Sequence, residues 1–225
     1  RWRSGNEWPL GNTRYVDYYF HSEGGANTAY GDGTLSQDPP NSEPPDGYVY
    51  DPRDPVMTRY SSQGQHEPWD QAPLDRRQDL LVYSTAPLEN EIEITGPITV
   101  QLFAASTARD TDFVIKLIDR HPDGFAQELC YGIVRARYRD SFDSPSLIKP
   151  SEVYEYTIKV NPTSNLFKGG HRIQVHVSSS DFPNFDRNHN TGGDDYMDAD
   201  MMIAKQTVFH DTERPSRVIL PVMLD

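Results

Sequence analysis

From residue 80 onward, apolar and polar side chains alternate one for one in segment after segment. Such alternation sends successive side chains to opposite faces of an extended backbone, so it signals half-buried strands. In residues 89–95, Ile92 and Ile94 oppose Glu91 and Glu93. In residues 153–160, Tyr154, Tyr156, Ile158 and Val160 oppose Glu155, Thr157 and Lys159. In residues 131–139, Val134, Ala136 and Tyr138 oppose a ladder of Arg135, Arg137 and Arg139. Residues 98–105, 112–119, 172–178 and 217–223 read as further strands. His121-Pro122-Asp123-Gly124 and Phe167-Lys168-Gly169-Gly170 supply turns between them. About eight strands without helical crossovers predict an all-β fold, an antiparallel sandwich rather than a parallel α/β sheet. A helical spacing of Met197, Met201 and Ala204 in residues 195–205 is a weak counter-signal.

Residues 1–79 differ: Trp8-Pro9, Gly24-Gly25, Gly31-Asp32-Gly33, Pro39-Pro40, Pro44-Pro45-Asp46-Gly47 and Asp51-Pro52 are turn and extended signals that forbid long helices. Short strands fit only at residues 15–20 and 48–50. A chain of 225 residues is long enough to bury a core as one all-β domain, so a single domain over 1–225 is expected, loop-rich over 1–79 and strand-rich over 80–225. The single cysteine, Cys130, can form no internal disulfide and reads as a buried, inert strand thiol.

A formal charge of −13 repels phosphate backbones and anionic lipid, and the 21 basic residues form no run that would overcome it. Nucleic acid and membrane surfaces are therefore not expected partners. Apolar runs fall far short of the ~20 residues of a membrane helix, and Arg1-Trp2-Arg3 lacks the apolar core of a signal peptide. The missing initiator methionine suggests a fragment or a trimmed chain.

The chain offers little chemistry of its own. No Gly-x-Ser-x-Gly elbow occurs, and Ser178-Ser179-Ser180 reads as a solvated strand end. His171 and His176 stand an odd number of positions apart on one strand, so they point to opposite faces and do not share an ion. By parity with Ile173, Val175 and Val177, His171 faces the core as a hydrogen-bonded histidine and His176 faces solvent. Asp194, Asp195, Asp198 and Asp200 lack the order of a calcium loop and read as solvated. No phosphate-cradling Gly-Lys-Ser/Thr follows any glycine-rich stretch. No catalytic residue, metal or cofactor is expected.

One loop stands apart. Residues 180–193 carry Phe182, Phe185, Arg187, Asn188 and Asn190, with paired glycines, directly after a strong strand. Asn and Gly tolerate positive φ, and loops at sandwich ends often carry function. The loop is either a recognition element or a tightly self-bonded corner.

The run from Val177-Ser178-Ser179-Ser180-Asp181-Phe182-Pro183-Asn184-Phe185-Asp186-Arg187 through Asn188-His189-Asn190-Thr191-Gly192-Gly193 resembles a signature of the C-terminal domain of cocaine esterase-like and X-Pro dipeptidyl-peptidase-like serine hydrolases. Thr111-Asp112-Phe113-Val114-Ile115-Lys116-Leu117-Ile118-Asp119 and Gly132-Ile133-Val134-Arg135-Ala136-Arg137-Tyr138-Arg139 resemble it too, as do Gly31-Asp32-Gly33-Thr34-Leu35-Ser36 and Tyr50-Asp51-Pro52-Arg53-Asp54-Pro55-Val56. The resemblance covers nearly the whole chain. It implies a jelly-roll β-sandwich, galactose-binding-domain-like, that follows an α/β-hydrolase domain carrying the Ser-His-Asp triad. The same resemblance implies a role in packing on that catalytic domain, shaping its ester or peptide substrate site and supporting oligomer contacts. Residues 57–70 match least, so no acyl-pocket residue carries over.

Tyr60 and Trp69, aromatics of the irregular front third like Trp2 and Trp8, suit burial against a partner domain or within the fold itself. Together with Phe182, Phe185, Arg187, Asn188 and Asn190 they are the candidate interface or substrate-rim residues. Two other readings compete with the accessory hydrolase domain. A freestanding carbohydrate-binding jelly roll would need stacking aromatics on a concave face, and a cupin-type metalloenzyme is opposed by the His171/His176 parity.

Overall fold

The computed structural model describes residues 5–59, 69–194 and 196–224. It contains strands β1 (Thr13–His21), β2 (Thr34–Ser36), β3 (Asp46–Tyr50), β4 (Leu81–Ser84), β5 (Ile92–Ser106), β6 (Asp112–Arg120), β7 (Ala126–Arg135), β8 (Tyr154–Phe167), β9 (Arg172–Ser178), β10 (Ala204–Phe209) and β11 (Arg217–Met223). β5 is the hub of one layer: β8 lines one edge, while β11 and β10 share the other, with β1 beyond β11 and β3 beyond β10. β1 passes through β2 into the second layer, which runs β4, β9, β6, β7. Every named pairing is antiparallel except the single β2–β4 contact. The layers close on each other through Phe20 stacked on Tyr83 at 4.4 Å and Phe113 tilted against Tyr156 at 4.9 Å. This is the all-β sandwich expected from alternation.

Two expected strands, 89–95 and 98–105, are one strand, β5. The Gly96-Pro97 pair between them forms a bulge, with Gly96 at φ 146° and the register to β8 shifting between Gly96 and Ile98. Glycine is also required where β7 crosses β8, because a Cβ on Gly132 would lie 2.4 Å from the Lys159 carbonyl oxygen. Ile158 and Val175 are fully buried, as their parity requires.

Three expectations need correction. The arginine ladder is not one strand, since β7 ends at Arg135 and Ala136–Tyr138 form a 3-10 turn. Asp110 bends the chain there by accepting the Arg137 N–H at 2.8 Å and its Nε–H at 2.7 Å, while Arg135 clasps Asp112. The weak helical signal at 195–205, of which residue 195 lies outside the described residues, gives way over 196–205 to turn and irregular backbone and then β10, which pairs with β3 and β5. Finally, β6 and β9 are buried on both faces, not one. Their outer face lies under the front segment, where Val56, Leu74, Leu80 and Val82 form a second apolar cluster. His176 is thereby enclosed, 1% exposed, instead of solvated.

Candidate functional site

β9 delivers the chain into the 180–193 loop at its C-terminal end. Ser178, Ser179 and Ser180 are not a solvated strand end: all three are buried and bonded. Ser178 donates to the Ser180 carbonyl, Ser179 bonds Tyr48 OH at 2.9 Å, and Ser180 Oγ accepts the Val56 N–H at 2.8 Å. The front segment then pairs with the loop, with Thr58 N–H donating to the Phe182 carbonyl and Phe182 N–H to that of Val56.

Beneath the loop lies a buried polar layer on the outer face of β6, β7 and β9. Lys116 Nζ contacts Glu128 at 2.9 Å and Asp181 at 2.8 Å, and donates to Gln71 Oε1 at 3.4 Å. Burial works against the charged amine, yet the two carboxylates outweigh it and hold the Lys116 pKa above its ordinary value. One ammonium serves two carboxylates, and burial leaves Glu128 above the usual range. His176 Nε2–H donates to Gln174 Oε1 at 3.0 Å. Burial first, then the charges of Lys116 and Arg120, push its pKa down to about 3, so it is neutral.

The candidate residues divide into two groups. Phe182, Phe185, Arg187 and Trp69 are partly exposed along one edge. Arg187 lies over the Phe182 ring at 4.9 Å and donates to the Pro52 carbonyl at 3.1 Å, and Phe185 meets Tyr131 edge-on at 5.7 Å. Trp69 joins this edge through its carbonyl, which accepts the Glu128 N–H at 3.0 Å. Exposed Met57 bridges Phe182, and exposed Tyr196 donates to Asp186 at 2.6 Å, extending the edge. Asn188 and Asn190, by contrast, are fully buried. Asn188 Nδ2 donates to Asp110 and Asp112, each at 2.8 Å, and Asn190, at φ 65°, donates to the Met202 carbonyl. The loop is thus a self-bonded corner behind an aromatic edge. Tyr60 lies outside the described residues.

A second polar cluster escapes sequence reasoning because its members come from positions 22, 43, 46, 83 and 210. His210 Nε2 lies 2.9 Å from Asp46 Oδ2 and 3.2 Å from Ser22 Oγ, and its Nδ1 lies 3.2 Å from Glu43. The order Ser–His–acid suggests a nucleophile, but Ser22 Oγ donates to Asp46 at 2.8 Å and accepts the Gly24 N–H at 3.0 Å, and His210 is fully buried. Neither atom is free to face a substrate, so the cluster is structural. Tyr83 OH and the Ala26 N–H also donate to Asp46.

Burial disfavours charge here, but the bond and charge of Asp46, with Glu43, raise the His210 pKa. Against the same burial, His210 and neighbouring donors lower that of Asp46, and His21 chiefly lowers that of Glu43. The carboxylates contribute stability above the usual carboxylate range and lose it as pH falls through their lowered values. His210 contributes fully below about pH 6.5 and loses its part as pH rises through its raised value. The Tm difference between wild type and His210→Gln is therefore expected to peak between roughly pH 4.5 and 6.5. A pH-independent difference in thermal melts would contradict the ion pairing.

Cys130 is buried, and burial with the Glu128 charge pushes its thiol up to about 12, far from a reactive thiolate.

Residues 1–219 match the family described as the X-Pro dipeptidyl-peptidase C-terminal non-catalytic domain. The chain is 45% identical over 228 residues to cocaine esterase of Rhodococcus sp. (strain MB1 Bresler), a match covering 99% of this chain and 40% of that protein. An aminopeptidase from the marine sediment archaeon Thaumarchaeota archaeon has the same fold with a TM-score of 0.89 at 31% identity, covering 100% of this chain and 39% of its own. An α-amino acid ester hydrolase matches with a TM-score of 0.84 at 28% identity, over 99% of this chain and 38% of that one. The chain spans between 31% and 40% of the length of the curated relatives it matches.

Proposed function

Because this chain belongs to the X-Pro dipeptidyl-peptidase C-terminal non-catalytic domain family, we propose that it is the accessory domain of a serine hydrolase, packed on an α/β-hydrolase catalytic domain of the same polypeptide. The observation that carries this is the unequal coverage: 99% of this chain aligns, but with 40% of the esterase. The remainder of such a polypeptide has room for a catalytic domain. The whole enzyme then cleaves an ester or a peptide bond, with the nucleophile outside these 225 residues.

The contact edge in this proposal is Phe182, Phe185, Arg187 and Trp69. Partly exposed aromatics beside an arginine are the side chains that carry interface energy most often. Asn188 and Asn190 act from behind, fixing the corner that presents them. In the longer polypeptide, the double variant Phe182→Ala/Arg187→Ala is expected to lower kcat/KM about tenfold or more. In the 225-residue chain the same pair should change Tm far less than in the longer polypeptide. Full activity and an unchanged Tm in the longer polypeptide would remove this edge from the interface.

A further inference from the structure

The sequence sets His171 and His176 on opposite faces of one strand, but the fold brings a different histidine to His171. Asp119 is the penultimate residue of β6, with the inward parity of Leu117, and His121 follows Arg120 in the turn to β7. His171 precedes β9, whose Ile173 is paired with Asp119, so the β6–β9 ladder sets the carboxylate and both imidazoles at one rim of the sandwich. His171 Nδ1 lies 2.8 Å from Asp119 Oδ1, and His121 Nε2 lies 3.8 Å from Asp119 Oδ2. One donor atom from each of the three residues lies within 4.8 Å of the others.

We propose that Asp119, His121 and His171 form a binding site for a divalent transition-metal ion of the zinc class, with water completing the coordination. Two imidazoles and one carboxylate select zinc, cobalt or nickel over calcium or magnesium, which take oxygen donors. Bonds of ~2.0–2.1 Å in a tetrahedron place ligand atoms ~3.3 Å apart, and one donor atom from each of the three residues already lies within 4.8 Å of the others, so the set converges on one centre. The ion replaces the His171–Asp119 hydrogen bond, with His171 Nδ1 as ligand and the ring proton of the neutral imidazole carried on Nε2.

The surroundings are built as a metal site requires. Asn165 Nδ2 donates to Asp119 Oδ2 at 3.3 Å, orienting the carboxylate from outside the donor set. The imidazoles are fixed by packing, with Phe125 edge-on to His121 at 5.1 Å and the His121 and His171 rings 4.3 Å apart. The turns are bonded as well: His121 N–H donates to the Phe125 carbonyl and His171 N–H to that of Lys168. The Asp119 side chain is 5% exposed and that of His121 26%, which leaves an approach from solvent on the histidine side. A net charge of −13 favours the arrival of cations.

Zinc chloride titrated calorimetrically into metal-free 225-residue protein is expected to bind one ion per chain. Cobalt(II) in its place should give the visible absorption of a four-coordinate N/O site. Zinc at a hundredfold excess over Kd should raise Tm by roughly 5–10 °C. His121→Phe keeps a ring between Phe125 and His171 but removes one donor. It should weaken zinc at least tenfold while leaving the metal-free Tm close to wild type. Asp119→Asn should do the same, and where that variant does not fold, His121→Phe alone carries the test. Absence of binding, or equal zinc affinity in wild type and His121→Phe, would overturn the site and leave these residues a hydrogen-bonded corner.

Discussion

Lys116→Met is expected to destabilise the chain by about 3–5 kcal/mol, the largest effect of any single substitution considered. Methionine matches the lysine stem in length, so packing is nearly conserved and the loss isolates the charge. What remains is a pair of buried carboxylates, Glu128 and Asp181, whose side chains are 3% and 1% exposed and whose shared cation is gone. Removing one member of a buried ion pair costs far more than the pair itself contributes, because the survivor keeps its desolvation penalty. The companion Lys116→Met/Glu128→Gln/Asp181→Asn should recover most of the loss, since neutral amides bear a much smaller burial cost. Chemical denaturation of the single and triple variants checks both. A single variant as stable as wild type would mean that the cluster is hydrated and that the front segment does not seal it.

Asn188 carries the second large effect. Its amide bridges Asp110 and Asp112, and its own carbonyls accept from Asn190 N–H and Tyr50 OH. Burial pushes Asp112 up to about 6 even with Arg135 and Asn188 holding it down, so its charged state depends on these donors. Asn188→Ala removes two hydrogen bonds to buried charged groups and is expected to cost about 3 kcal/mol. Asn188→Asp, nearly the same shape, sets a third carboxylate beside the other two and should cost more. Its penalty should shrink below about pH 6, where Asp112 takes up a proton and the repulsion is relieved. Thermal melts at pH 5 and pH 8 separate the cases. Equal stability of the alanine and aspartate variants at pH 8 would show that Asn188 fills space and does not bridge charge.

These two residues show where sequence reasoning reaches and where it stops. Alternation revealed the strands because the core needs only a facing rule: Tyr156, Ile158 and Val160 are buried as their spacing requires. It failed for His176, which occupies the polar parity of β9, and was silent on the burial of Lys116 at the matching parity of β6. Their face is closed by the front segment and by the 180–193 loop, and nothing near them in the chain announces that cover. The Arg135–Arg139 ladder misled for the same reason, since Asp110 and Asp112, its partners, precede it by more than twenty positions. The loop after β9 was visible as an anomaly of composition. Its division into a buried asparagine corner and a partly exposed aromatic edge was not, because Asn188 and Arg187 are neighbours in sequence with opposite surroundings. His121 and His171 likewise lie on different turns, and only the β6–β9 ladder brings them together.

Family membership and the buried state of Ser22, Ser178, Ser179 and Ser180 converge on one claim, that the reactive residues lie outside this chain. The most direct test is turnover of aryl ester, aminoacyl and X-Pro substrates by the purified 225-residue chain, beside a longer polypeptide that adds the catalytic domain. Turnover is expected from the longer polypeptide, and none above buffer from the chain alone. Serine-dependent hydrolysis by the chain alone, abolished by a single serine substitution within it, would place the nucleophile inside these 225 residues and overturn the accessory role.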